Sequence, residues 1–244
     1  MSCRCTWVSR SLRVIDHPEN GVPQGGCISP LLSNLYLHEV LDLWFEREVK
    51  PRMRGRAFMV RFADDAVMGF ERKDDARRVL DVLPKRLGRF GLTLHPEKTR
   101  LVDFRRPDRR PEGTQRERSF DMLGFTHHWG RSRKGRRVVQ RKTAKSRFTR
   151  TLRRFNEWCR RNRHLPVEEQ RTALNRKLRG HDAYFGITGN IKALQRPRFE
   201  VQGRWRKWLS RRSRAAQLNW IQFKRLLQRH PLQPARVVHS LYAT

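Results

Sequence analysis

Ala57-Phe58-Met59-Val60-Arg61-Phe62-Ala63-Asp64-Asp65-Ala66-Val67-Met68-Gly69-Phe70 is the stretch on which the fold turns. Two apolar, strand-forming runs, 57–62 and 66–70, flank Ala63-Asp64-Asp65, which reads as a hairpin turn. Two neighbouring carboxylates at such a tip repel each other, and a hard divalent cation with its preference for oxygen ligands removes that repulsion. Asp is also common in solvated turns, so the dipeptide alone leaves two readings open, a plain turn and a metal-binding tip.

Upstream, Asp16-His17-Pro18-Glu19-Asn20-Gly21 is a run of turn formers, and Val22-Pro23-Gln24-Gly25-Gly26 is a loop. Ser29 followed by Pro30 has the chemistry of a helix N-cap and first helical residue. The helix predicted from about Pro30 to Arg47 is apolar on more than one face, which predicts substantial burial. Downstream, Ala76, Val79, Leu80, Leu83, Leu87 and Phe90 recur at helical spacing, with a kink expected at Pro84 and a stop at Gly91. Leu92-Thr93-Leu94 and residues 100–104 are predicted as short strands. Residues 105–118 and 130–142 read as basic connections, with strand-like sequence at Phe120–Phe125 between them. Beyond 142 the pattern is helical. Phe148, Leu152, Phe155 and Cys159 make one stripe, and Leu174, Leu178 and Phe185 another. A turn is expected at Gly186–Asn190, and near the C-terminus Leu218, Ile221 and Arg225 are expected to share a face.

Charge divides the chain. Residues 1–104 carry 18 basic and 14 acidic groups, a net of +4, whereas residues 105–244 carry 38 and 9, a net of +29. A field of that strength attracts polyanions and makes their binding salt-dependent. Disorder is opposed by Trp158, Trp205, Trp208 and Trp220 and the leucine stripes between them. No stretch approaches the roughly 20 apolar residues of a spanning helix, and residues 1–14 lack the apolar core of a signal peptide. Cys3, Cys5, Cys27 and Cys159 form no CxxC pair, which argues against structural zinc and for a reducing, cytoplasmic setting. The densest basic cluster is Arg204, Arg206, Lys207, Arg211, Arg212 and Arg214. At helical spacing Trp205, Trp208 and Leu209 turn inward as core while the cations face out, where RNA contact is the expected role.

Several of these segments together resemble a known family. Phe62-Ala63-Asp64-Asp65 is similar to the (Tyr/Phe)-x-Asp-Asp motif of reverse transcriptases. Gly21-Val22-Pro23-Gln24-Gly25-Gly26 through Pro30-Leu31-Leu32 resembles the motif before it. Phe90-Gly91-Leu92-Thr93-Leu94 with Lys98-Thr99 resembles the motif after it, and Phe120–Phe125 the primer grip. Tyr184-Phe185-Gly186, Arg204–Leu209, Arg211-Arg212-Ser213 and Pro231-Leu232 resemble the maturase-specific region of group II intron proteins. The resemblance runs over residues 20–242. It implies an α+β fold: residues 1–20 an unassigned leader, 21–130 a partial polymerase palm, and 131–244 an α-helical thumb.

The resemblance further implies RNA-directed DNA synthesis with Mg²⁺, with group II intron RNA, an RNA template and a DNA primer as partners. Asp64 and Asp65 would be metal ligands, Asp64 the main one. Pro23, Gln24, Gly25 and Phe62 would lie by the template base and incoming nucleotide, Lys98 by the triphosphate, and Leu123 and Gly124 at the primer end. Each has a plainer alternative: a helix-start turn for Pro23-Gln24-Gly25, a surface lysine for Lys98, a strand bend for Leu123-Gly124. The sequence departs from the family in lacking the fingers and a further aspartate well before Pro23; Asp16 has no strand-then-helix context. The expectation is a chain without polymerase activity by itself, completed by an upstream fragment, or an RNA-binding splicing module, or a degenerate mobile-element remnant.

Overall fold

The computed structural model describes residues 28–95, 99–106, 119–132, 134–213 and 217–240. They form two compact units, which meet in sequence between Asp103 and Phe104. The fold is α+β, as the sequence predicts.

Unit 1 begins with a long helical run. α1 spans Ser29–Leu37; it passes into π-helical turns at His38–Asp42 and Phe45–Val49 and ends in a 3₁₀ turn at Lys50–Arg52. The wide turns are closed by the Leu43 N–H on the His38 carbonyl and the Lys50 N–H on the Phe45 carbonyl. Their sequence reason is the spacing of Val40-Leu41, Trp44-Phe45 and Val49. Steps of four fit an ordinary helix, and the step of five from Trp44 to Val49 comes closer to the same face when the helix winds more loosely than 3.6 residues per turn. All five are buried. The expected burial of the whole helix fails for its first half: Leu31 is 68% exposed, and Leu32, Leu35 and Tyr36 are exposed too. The helix starts at Ser29 itself, with Ile28 rather than Ser29 at the cap position.

β1 (Ala57–Phe62) and β2 (Asp65–Phe70) pair antiparallel, Phe62 opposite Asp65. The turn is therefore only Ala63-Asp64, and Asp65 already belongs to the strand. α2 (Lys73–Gly88) contains Pro84 and buries Ala76, Val79, Leu83 and Leu87. Gly91, with φ +66°, lets the Gly91 N–H reach the Gly88 carbonyl and the Leu92 N–H the Leu87 carbonyl, a Schellman closure. The two short strands expected at 92–94 and 100–104 do not form among the described residues. Leu92 and Leu94 instead pack singly on the unit 1 core, so apolar content there serves packing rather than a ladder.

Unit 2 opens with an antiparallel meander, β3 (Ser119–Met122), β4 (Phe125–Arg131) and β5 (Arg137–Thr143). β5 corrects the expected connection at 130–142. Its Val138 and Val139 suit a strand, but four flanking cations masked the signal. Four helices follow: α3 (Lys145–Arg161), α4 (Val167–Phe185), α5 (Ile191–Leu209) and α6 (Trp220–Arg229). Their core holds Leu152, Phe155, Cys159, Leu174, Leu178, Val201, Trp205, Leu209 and Phe223. The Trp205 indole N–H donates to Gln170 at 2.8 Å, so the buried ring leaves no orphan donor. The predicted Leu218–Ile221–Arg225 face is not the buried one, since Ile221 is 65% exposed and Phe223 fully buried. A capping box between Asn219 and Gln222 fixes where α6 starts, and that phase turns Phe223 onto Trp205.

Two further features close unit 2. Asn190, buried, accepts from the Thr143 N–H (3.1 Å) and donates to the Thr143 hydroxyl and the Phe185 carbonyl, both at 2.9 Å. This ties the end of β5 to the α4–α5 turn. The buried Asp182–Arg198 pair is completed by backbone: Arg198 donates to the Leu194, Gln233 and Pro234 carbonyls, and the Arg236 N–H donates to Asp182. The C-terminal segment thus lies along α4 and α5. It passes so close to Gly186 that a Cβ there would stand 2.3 Å from the Asp182 carbonyl oxygen and 2.8 Å from that of Arg236.

Candidate active site and nucleic-acid interface

The β1–β2 tip is built around Arg61. Along β1, Ala57, Met59 and Arg61 face the unit 1 helices while Phe58, Val60 and Phe62 face solvent. A cation on the inward phase needs partners, and Arg61 has them. Its Nε and one Nη donate to Asp42 at 2.7 and 2.6 Å, a bidentate fork. The other Nη donates to Asn34 Oδ1 at 3.0 Å and to the Ala63 carbonyl at 2.8 Å. The fork holds the Asp42 carboxyl below the usual carboxylate range and pushes the Arg61 guanidinium further up. Ala63 sits at φ +53°, a position where hairpins ordinarily place glycine. The Arg61 bond to its carbonyl helps to hold the turn in this conformation. The second central residue, Asp64, is presented outward with Asp65 beside it, and both are exposed.

Among the described residues neither acid forms an ion pair, and no group of three or more His, Cys, Asp or Glu is gathered. Two exposed carboxylates on one hairpin are the donor type that Mg²⁺ selects, and they supply part of its six-oxygen shell. The residues present therefore fit the metal without completing its ligand set. Phe62, 64% exposed, stands beside them on the outward face. Pro23, Gln24, Gly25 and Lys98 lie outside the described residues. Arg61, Asp42 and Asn34 were not singled out from sequence. The available signal was an arginine on the inward phase of an otherwise apolar strand.

The second hairpin of interest, Leu123-Gly124 between β3 and β4, has both central residues left-handed, φ +51° and +80°, the primed geometry favoured by two-residue hairpins. The Tyr184 hydroxyl donates to the Leu123 carbonyl at 2.8 Å, and Phe125 stacks on Tyr184 at 6.0 Å and meets Phe185 edge-on at 5.3 Å. Two segments that the sequence shows as separate motifs, 120–125 and 184–186, are thus one packed element.

The basic cluster at the end of α5 and just beyond it divides by partner. Arg204 pairs with Glu200 at 2.6 Å. Arg206 donates to the Leu218 carbonyl at 2.8 Å and lies 4.3 Å over the Trp220 ring. Arg212 donates to the Arg163 and Leu165 carbonyls and so staples the α3–α4 loop. Lys207 and Arg211 are exposed and flank Trp208, 5.6 and 5.3 Å from its centroid. Arg214 lies outside the described residues. Arg160, Arg161, Arg163, His164 and Arg212 line a hollow with no carboxylate in its wall. Cys159 is no nucleophile: burial pushes its thiol up to about 12.

Unit 1 thus presents a hairpin with two exposed carboxylates, and the stretch 105–244 carries a net charge of +29. Residues 8–127 match the family described as reverse transcriptase (RNA-dependent DNA polymerase), just under half of the 244 residues. The match includes the Asp64-Asp65 hairpin, and in this part the chain is similar to reverse transcriptases. The match begins within the stretch 1–20 that the sequence reading leaves unassigned. No curated protein matches the chain. No helix among the described residues is long and apolar enough to cross a membrane.

Proposed function

We propose that the chain is the palm and thumb portion of a group II intron reverse transcriptase/maturase, binding intron RNA through unit 2 and carrying part of a Mg²⁺-dependent polymerase site in unit 1. The observation that carries this reading is the Arg61-anchored tip, which presents Asp64 and Asp65 side by side. Asp64 and Asp65 would hold the metal, which supplies Lewis-acid activation of the primer hydroxyl and charge neutralisation at the triphosphate. Arg61 fixes where the two carboxylates stand, and Phe62 offers a flat apolar surface for a base beside them. Lys98 would stabilise the leaving pyrophosphate. Tyr184 and Phe185 brace the Leu123-Gly124 turn, which favours a shared role for the primer-grip and maturase-like segments.

Among the described residues the hairpin supplies two carboxylates, fewer than two Mg²⁺ ions need, and the purified 244-residue chain is expected to bind RNA and not to extend a primer. A primer-extension assay on an RNA template, run with and without an upstream fragment supplying fingers and a further aspartate, tests this. Synthesis that appears only with the fragment supports the polymerase reading, and robust synthesis by the chain alone refutes the dependence on a third carboxylate. A second reading, an RNA-binding splicing module without polymerisation, is favoured by the +29 of residues 105–244. Under it, RNA affinity survives Asp64→Ala and no fragment restores synthesis.

A further inference from the structure

Between α3 and α5 of unit 2 runs a groove of about 620 Å³, within the size range of ligand clefts. Phe199 and Trp220 both line it, and they remain 72% and 46% exposed. Single exposed apolar side chains are ordinary on a protein surface. Two aromatic rings on one groove, with Arg153, Arg204 and Lys207 around them, are a patterned surface. The carboxylate in the wall, Glu200, is already paired with Arg204. Trp220 is held in place by the Arg206 guanidinium over its ring, and Arg206 is itself fastened to the Leu218 carbonyl.

Gly203 is the second observation. It lines the same groove inside α5, where glycine is the poorest helix former after proline. A glycine on a helix surface often serves a close helix crossing, but here an added Cβ would meet nothing within 4 Å. Packing of the protein does not use that space. The missing side chain leaves the groove open along this part of its lining.

We propose that this groove takes an unpaired nucleobase of an RNA strand, stacked against Phe199 and Trp220, with Arg153 and Lys207 on the adjoining phosphates. Every base has a π-face, so such a site tolerates any sequence. A duplex keeps its bases stacked on each other, so the groove selects single-stranded, bulged or looped RNA. The inference rests on the RNA-binding role proposed for unit 2 and adds to it a preference that charge alone does not produce.

The test uses the full chain, fluorescence anisotropy at one fixed salt concentration, and two probes: a single-stranded oligouridylate of about 12 nucleotides and an RNA duplex of similar length. Phe199→Ala is expected to weaken single-strand binding roughly tenfold and duplex binding less than about twofold. Gly203→Leu, which fills the groove and improves the helix, is expected to weaken single-strand binding similarly while the thermal transition stays or rises. Neither variant changes charge, so the salt dependence should match the wild type. No loss in either variant, or equal loss on both RNAs, overturns the base-stacking groove and leaves the polyanion-binding role standing. Binding of neither RNA by the wild type overturns both. Polyglutamate that competes as well as the single strand, and loses that ability in Phe199→Ala, would make the groove a peptide site and overturn the proposal.

Discussion

The two hairpins, Ala63-Asp64 in unit 1 and Leu123-Gly124 in unit 2, solve one geometric problem in opposite ways. Both are two-residue turns with a left-handed first residue. The first keeps its polar side chains in solvent and is fastened from beneath, by Arg61 on the Ala63 carbonyl. The second has its backbone fastened from outside, by the Tyr184 hydroxyl on the Leu123 carbonyl. A tip whose carboxylates stand in solvent has its supports behind it. A tip that only shapes a turn can be covered by aromatic rings. The same contrast holds for the units. Unit 1 leaves Phe58, Val60 and Phe62 exposed beside the acids, while unit 2 closes a core around Trp205 and Phe223 and carries its charge outside.

The largest test of that contrast is Trp205→Ala. It removes a fully buried ring and strands Gln170, and is expected to cost about 3–5 kcal/mol in denaturant unfolding followed by a unit 2 probe. A loss under about 1 kcal/mol would mean that the unit 2 core is not closed around this ring. Next comes Arg61→Ala, which leaves Asp42 without its fork and frees the Ala63 carbonyl. The pair is partly wet, so the expected cost is about 2 kcal/mol rather than the full value of a buried pair. Divalent-cation affinity at Asp64-Asp65, read by Mn²⁺ relaxation, should fall with it. Unchanged Mn²⁺ binding would show that the tip holds its shape without Arg61.

A smaller effect is expected from His181. Burial pushes its imidazole below its ordinary value, so in the folded chain it takes up its proton at lower pH than in the unfolded chain. The unfolded state therefore binds more protons once pH falls below about 6.5, and stability is lost on acidification, by at most about 1.4 kcal/mol per pH unit for one group. Above that pH the residue contributes no slope. Thermal melts of the wild type and His181→Leu between pH 7.5 and 5 check the sign; the variant should show the shallower dependence. The smallest effect is Asp64→Ala on stability, expected within about 0.5 kcal/mol because the side chain is exposed. A larger loss would mean that Asp64 serves the fold and not a ligand.

Much of this was legible in the chain itself. Stripes of apolar residues placed α2, α3 and α4, and the inward face expected of Trp205 and Leu209 fell at the end of α5, because an amphipathic helix repeats its apolar residues whatever it packs against. The hairpin followed from two apolar runs and the turn chemistry of Ala63-Asp64-Asp65 between them, one residue longer than the turn that forms. β5 was hidden because cations dominate its seven residues, and the strand exists through its pairing with β4. The phase of α6 was misread because three apolar residues near one another fit two faces, and the choice depends on the Asn219–Gln222 cap and on what Phe223 meets.

By itself the order of residues determined most of the helices, the first hairpin with its acidic tip, the uneven charge and the resemblance to reverse transcriptases. These follow from local propensity, short-range pattern and composition. Only the tertiary structure decided that Arg61 reaches back to Asp42, that Tyr184 braces a turn 61 residues away, and that Gly203 opens a groove instead of closing a helix crossing. Those are contacts, or missing contacts, between residues far apart in the chain, and no local periodicity encodes which distant side chain will arrive.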